Sequence, residues 1–502
     1  MSVGIRCYGV AIVAGSIFLV AACDSERSKS NANTVNADGG TIAAVDGAAL
    51  PIPSGMTYYQ DVAPILQKSC AGCHKSGGIG PFDITSFEQA KKFAETAVEA
   101  IDEGRMPPWS AQETSECKPL LPWKDDLRVV AADLAILKGW LADGTPSGDA
   151  TKAAVLPTAP TLELKDANVR VTLPSPVQIS GTEDQFVCFS LDPKITQDVW
   201  LNGTQINAGN AAIVHHVLLY ADPKGESVAL AGAKGSYPCF GGPGIGGSTE
   251  LIGAWAPGAL PSTTPPSVGI LLKAGSRVVM NVHYHPTGGM KVETDSTTSM
   301  DLRWTTTVPE NAGRLALIGN FGSADLQVAG GKGYGLLPSA DENGSPPKFH
   351  IPAGAAKHIE NMRFRIPGNP AARAAGVPIR IWTVGTHMHY LGQDMKIDLV
   401  RPIQGDRPAK ECLLHTPKWN FDWQRGYSYD APLDKVPGIY PGDELNFRCT
   451  YDNSMNNPAL RKVLGSQGKT APIDVDLGEG TLNEMCLGVF GISVPQKYSD
   501  SF

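Results

Sequence analysis

The segment Cys70-Ala71-Gly72-Cys73-His74 constrains this chain more than any other stretch. Two thiols at this spacing on one helical turn can each add to a vinyl group of a porphyrin, and the histidine that follows then lies beneath the iron as an axial ligand. The CxxCH pattern therefore reads as covalent attachment of one haem c through Cys70 and Cys73, with His74 on the iron. A zinc half-site is the alternative reading, but the sequence has no second CxxC pair to complete it.

The first residues agree with a protein that meets haem outside the cytoplasm. Arg6 is the one early positive charge, and the apolar run from Tyr8 to Val20 is short for a membrane span, so the stretch reads as an export signal. It ends in Val20-Ala21-Ala22-Cys23, which resembles the bacterial lipobox. That resemblance implies a signal over residues 1–22, a lipid on Cys23 and a protein anchored in the cell envelope, at the inner or outer membrane, facing the periplasm; a simple cleaved signal is the alternative. Residues 23–55 are small and polar and read as a tether with no core of its own. At 502 residues the whole chain is long enough for two to four units. Its 55 Gly and 39 Pro favour strands and turns, and a net charge of −8 argues against a nucleic-acid partner.

Residues 56–149 read as a small all-α unit. Tyr59, Val62 and Leu66 fall at helical spacing before the CxxCH, a second helix is expected over Ser86–Glu103, and a third over Leu127–Leu141 stops near Gly144 and Pro146. Three helices around a haem resemble a class I cytochrome c. Gly104-Arg105-Met106-Pro107-Pro108-Trp109 resembles the RMPPW segment of bacterial cytochrome c domains, which implies Met106 as the sixth iron ligand. A lone Met is otherwise a core filler. With both axial positions filled the haem would carry electrons and bind no oxygen, whereas a haem-based sensor needs an open position.

After a linker over 150–165 the pattern changes to short alternating strands such as Val169-Arg170-Val171-Thr172-Leu173. The sparse histidines cluster as His215-His216, as His283 and His285 in a VHYH segment, and as His387-Met388-His389. His387 and His389, at i and i+2, share one face of a strand and can reach one metal. Adjacent His215 and His216 would point to opposite faces of a regular strand, so their joint use needs a strand end, a bulge or different ring nitrogens. Late in the chain comes Asn483-Glu484-Met485-Cys486; a thioether added to two imidazoles is a soft set that suits Cu(I). Each piece alone also fits an ordinary surface or core pair.

The ordered combination resembles the copper type II, ascorbate-dependent monooxygenases, which include the peptidylglycine α-hydroxylating and dopamine β-monooxygenases. The matching segments are His215-His216-Val217-Leu218-Leu219-Tyr220, Asn281-Val282-His283-Tyr284, Thr386-His387-Met388-His389-Tyr390-Leu391-Gly392 and Glu484-Met485-Cys486. Asp184-Gln185-Phe186-Val187-Cys188, Trp419-Asn420-Phe421-Asp422-Trp423-Gln424 and Arg448-Cys449-Thr450 support them. The resemblance implies a mainly β chain with two jelly-roll β-sandwiches, over 166–305 and 306–502, and two coppers. His215, His216 and His283 would hold the electron-storing copper; His387, His389 and Met485 would hold the copper that activates O2 and hydroxylates carbon. His285 has no assigned role. Two departures bear on substrate: the family's carboxylate-clamping Arg is Gly385 here, and a substrate-facing Tyr is Val489. These departures point to a small, mostly apolar or neutral substrate.

Cys117, Cys188, Cys239, Cys412, Cys449 and Cys486 remain after signal, lipid and haem are allotted, an even number that allows 15 pairings. The resemblance implies Cys449–Cys486. Cys188–Cys239 is a weaker expectation, because the family partner of Cys188 is missing, and Cys117–Cys412 then remains and would staple the haem unit to the second sandwich; free buried thiols are the alternative. The expected function is a copper monooxygenase acting on a small molecule with O2, fed by a reductant or electron-donor protein through the fused haem. The competing expectation is a haem and copper electron carrier, or a copper-binding lipoprotein, with no hydroxylase activity.

Overall fold

The computed structural model describes residues 50–76, 78, 80–160, 163–246, 249–288, 291–320, 335–337, 349–367, 376–402, 405 and 407–501. The export segment, Cys7 and the lipidation candidate Cys23 lie outside the described residues. The described chain is mainly β and built from several sheets. No helix among the described residues is long and apolar enough to cross a membrane.

The helical part comes first. A π-helical turn Tyr58–Val62 runs into the helix Ala63–Ser69, followed by the helices Phe87–Asp102 and Ala131–Ala142. Ser86 caps the second helix by accepting from the Gln89 N–H, and the alanines and valine at 90, 94 and 98 give it one buried stripe. These helices close on a small core of Tyr58, Val62, Leu66, Val98, Leu137 and Trp140. Tyr58, with Val62 and Leu66, lies inside, and Tyr59, expected on that face, is only partly covered.

One ten-stranded sheet runs through the rest of the molecule. Its strand path is 169–172, 299–305, 199–207, 268–272, 311–320, 486–495, 379–387, 426–428, with two short strands paired off the path. A five-stranded sheet (236–238, 185–191, 277–284, 214–222, 251–255) contributes the other half of a core that includes Phe189, Leu219, Met280 and Leu302. A second five-stranded sheet (335–337, 358–365, 444–451, 392–400, 410–416) does the same over the C-terminal strands, around Ile381, Met395, Phe447 and Phe490. Each strand facing these cores is rich in Val, Ile, Leu and Phe, the residues that fill a pleated buried surface. The two halves are joined in the long sheet by a parallel pairing of only two residue pairs, Asn311 with Val268 and Ala312 with Gly269.

The segment after the second helix departs from the sequence reading. Expected as part of the helical unit, it crosses instead to the C-terminal half, where Trp109, Ala111, Trp123 and Leu127 belong to that core. Trp123 stacks on Tyr429 at 5.0 Å between ring centroids, and Trp109 meets Tyr427 edge-on at 5.1 Å. Backbone bonds from Gln112 to His415 and from Lys124 to Ser428 tie it down. Three disulfides close the structure: Cys117–Cys412, Cys188–Cys239 and Cys449–Cys486.

Candidate metal centre

His215 and His216 lie on the strand Val214–Asp222, and His283 lies on its neighbour Arg277–Tyr284. The register carries the explanation for the adjacent pair: His283 faces His216, but Tyr284 faces Val214, so His215 is an extra residue in a β-bulge. A bulge breaks the alternation of side chains and brings both rings to one side. The Nδ1 atoms of His215 and His283 are 3.3 Å apart, and those of His283 and His216 are 3.4 Å apart. One ligand atom from each of the three lies within 4.8 Å of the others. His283 Nδ1 thus has two nitrogen neighbours and at most one proton to share, while the buried His215 Nε2 has no hydrogen-bond partner. Three imidazole nitrogens this close together fit a bound cation.

Asp184 stands behind this cluster. Its Oδ1 is 2.7 Å from His285 Nδ1 and its Oδ2 is 3.4 Å from His283 Nε2. Burial alone would raise its carboxyl, but the two imidazoles override that and hold it well below the usual range. The same Oδ2 accepts from the Thr481 hydroxyl and, at 3.2 Å, from its N–H, so one carboxylate ties the first histidine set to the loop before Met485. His285 thereby gains a place, as the partner that fixes Asp184. Sequence reading left it unassigned.

The second set is held by another strand. His387 ends the strand Ile379–His387, and the turn after it carries His389. Their ring centroids are 5.2 Å apart. His387 Nδ1 lies 2.7 Å from Gln424 Oε1 and His389 Nδ1 lies 2.9 Å from the Asn483 carbonyl, which places the proton on Nδ1 and leaves both Nε2 atoms as free donors of a lone pair. Met485 is buried, and its carbonyl accepts from Tyr451 OH at 2.7 Å. Glu484, fully buried beside it, accepts from the backbone N–H groups of His389 (2.7 Å), Leu391 (2.7 Å) and Met485 (3.2 Å). Burial pushes its carboxyl up to about 8, with the backbone donors pulling the other way.

The two sets open onto one cavity of about 210 Å³, whose walls include His216, His387 and Met485. Phe421 lies between them, stacked on His215 at 4.5 Å and 5.8 Å from the His389 ring. Gly385 and Val489 pair across adjacent strands near this wall, and Val489 lines it. Two charged residues that sequence reading missed, Arg425 and Glu479, line it as well.

Burial lowers the pKa of His215, His216 and His387, and brings that of His389 down to about 3. These four rings are neutral when folded and must each take up a proton on unfolding below pH ~6.5, their ordinary value. Folded pKa values below unfolded ones mean stability is fully present above ~6.5 and lost as pH falls toward the folded values. Each ring contributes a slope of about 1.4 kcal/mol per pH unit inside that window. Urea unfolding of metal-free protein at pH 7.5, 6 and 5 is expected to show a steep loss, and His→Gln at 387 and 389 a shallower one.

In the helical part, Cys70 and Cys73 are the free cysteines among the described residues. Burial raises both thiols, Cys70 to about 12, and the nearby Arg425 charge opposes this at Cys73. His74 Nδ1 lies 3.2 Å from the Phe82 carbonyl, so its Nε2 is the nitrogen left to bind iron. Two unpaired thiols with an oriented imidazole beside them fit a covalently held haem. Met106 sits half-buried after the second helix with its N–H on the Ala100 carbonyl; no hydrogen bond or ring contact among the described residues links it to His74.

No protein-family model matches the chain, and no curated protein matches it. Among solved structures it is similar to the major capsid protein P2 of bacteriophage PM2, at 7% identity and a TM-score of 0.25, covering 65% of this chain and 97% of that one. It is also similar to latent PorU of Porphyromonas gingivalis, at 10% identity and a TM-score of 0.16, over 62% of this chain and 25% of that one. Likenesses this low carry no argument about fold or function.

Proposed function

We propose that this chain is a copper monooxygenase that hydroxylates a small organic molecule, with electrons supplied through a haem held by Cys70, Cys73 and His74. The reaction consumes O2, two electrons and two protons per C–H bond converted to C–OH, with water as second product. Copper supplies the one-electron steps that a spin-paired substrate needs to react with O2. His215, His216 and His283 would hold one ion; His387, His389 and Met485 would hold the other. The finer reading of the fold, two jelly rolls behind a cytochrome c, belongs to this proposal.

The observation that supports it best is that one histidine of each set, His216 and His387, lines the same cavity as Met485, with Phe421 against a ring of each set. The rest of the chain's task is passive. Gln424 and the Asn483 carbonyl orient His387 and His389, Asp184 orients His283, and the apolar walls from Leu218 and Trp255 exclude water. On the haem side, Arg425 lines the cavity and its charge acts on the Cys73 thiol, which supports a close approach of the two centres.

Replacing Met485 by Ala is the decisive experiment. Copper-loaded protein given reductant and O2 is screened against small C–H, amine and thioether compounds. The wild type is expected to form hydroxylated product, and the variant to lose at least ~99% of turnover while keeping the copper bound by His215, His216 and His283. Absence of product from the wild type with two coppers bound would favour the carrier role instead.

A further inference from the structure

The two histidine sets lie on different strands of different halves, and one carboxylate links them. Asp184 immediately precedes the strand Gln185–Leu191, which pairs with the strand of His283. While His283 Nδ1 faces His215 and His216, its Nε2 lies 3.4 Å from Asp184 Oδ2. Asp184 Oδ1 lies 2.7 Å from His285 Nδ1. The same Oδ2 accepts from the Thr481 hydroxyl and, at 3.2 Å, from the Thr481 N–H, across 297 residues of sequence. Thr481 is itself buried.

Thr481 sits in a loop with no slack. The Asn483 N–H donates to the Gly480 carbonyl at 2.8 Å, the Gly478 N–H to the Glu484 carbonyl at 3.3 Å, and the Glu484 N–H to the Asp476 carbonyl at 3.2 Å. A Cβ at Gly478 or Gly480 would stand 2.8 or 2.9 Å from the Asn483 side chain, closer than real contacts allow. The loop then delivers the second set: the Asn483 carbonyl accepts from His389 Nδ1 at 2.9 Å, and Met485 follows two residues on. His283, Asp184, Thr481, Asn483 and His389 thus form one chain of contacts, with a two-residue step of packed backbone in its middle.

We infer that Asp184 and Thr481 are positioning residues that couple the two metal sites, so that an ion held by His215, His216 and His283 tightens binding at His387, His389 and Met485. This rests on reading both sets as copper sites, and not on hydroxylation. With a cation on its Nδ1, the His283 ring becomes a stronger Nε2–H donor to Asp184. Asp184, held on its other oxygen by His285, then holds Thr481 and the loop behind it. The Asn483 carbonyl is in place for His389 before the second ion arrives. Order fixed by the first ion is order that the second need not impose.

Copper(I) titrations under argon, against a chromophoric chelator, read this on the full-length protein. His387→Ala/His389→Ala gives the affinity of the first site by itself, and His215→Ala/His216→Ala that of the second. The product of the two wild-type affinities is expected to exceed the product of the isolated ones roughly tenfold or more. Thr481→Val, made in all three backgrounds, should bring that ratio to about one, and Thr481→Ser, which keeps the hydroxyl, should retain most of it. Asp184→Asn should act as Thr481→Val does; circular dichroism checks that each variant folds, and Thr481→Val carries the test where Asp184→Asn does not. A wild-type ratio near one overturns the inference, as does binding of fewer than two coppers. So does a Thr481→Val variant that weakens the second site while the ratio stands, because Thr481 would then serve the loop's structure alone. Two coppers bound independently leave the monooxygenase reading standing, and absence of hydroxylated product leaves the coupling readable.

Discussion

Glu484→Ala is expected to cost the protein a large part of its stability and to dissolve the second histidine site. The Glu484 carboxylate is fully buried and accepts three backbone N–H groups, from His389, Leu391 and Met485. Removing it leaves three buried donors without acceptors, at about 1–3 kcal/mol each, and a cavity where the side chain stood. The donors alone sum to roughly 3–9 kcal/mol, against a total of about 5–15 kcal/mol for a typical domain. Two of the donors belong to the turn that carries His389 and the third to Met485 itself, so the loss falls on the site's geometry as well as on the fold. Glu484→Gln keeps one accepting oxygen but turns an NH2 group toward an N–H, so it should recover only part of the loss. Urea unfolding and copper stoichiometry check this together: the expected result is a lowered midpoint and one copper retained, at His215, His216 and His283. A stable variant that binds two coppers would overturn it.

Breaking Cys117–Cys412 is the second change with a large expected effect. The bond joins residues 295 apart in sequence. Closing so long a loop restricts the unfolded chain strongly, and loss of a native disulfide typically costs about 2–5 kcal/mol. The bond also pins the segment that carries Trp109 and Trp123 onto the C-terminal core. Around it, Thr114 Oγ1 lies 2.9 Å from His415 Nδ1, His415 Nε2 lies 2.6 Å from Asp394 Oδ2, and Arg448 bridges Asp394 and Glu116. With both cysteines replaced by Ser, thermal unfolding should begin earlier, and limited proteolysis should cut first between residues 105 and 127. Unchanged proteolysis would mean that the aromatic contacts alone hold the segment.

The mainly β character was legible in the Gly- and Pro-rich alternating stretches after Asn168, because a period of two survives in a single strand. His387 and His389 do come close, but the strand ends at His387, so the shared strand face read from their spacing is not what brings them together. His215 and His216 were ambiguous, since the bulge that aligns them is a property of pairing with the strand of His283 and leaves no mark in the local sequence. The path of residues 107–127 had no local signal, because only tertiary packing sends Trp109 and Trp123 to Tyr427 and Tyr429. Asp184 and Gln424 sat inside segments already singled out, so their proximity to the histidines had a signal. Arg425 and Glu479 had none, because an isolated charge in a loop reads as solvated until the fold encloses it.

The two-pair parallel junction between Val268–Leu272 and Asn311–Asn320 has a mechanical consequence. It makes the long sheet continuous through both halves, with its thinnest seam at the pairs Asn311–Val268 and Ala312–Gly269. Sliding one half along the other would have to break that seam and drag Asp184 away from Thr481. The spacing between the two histidine sets is therefore set by strand register, as teeth set the spacing of meshed gears.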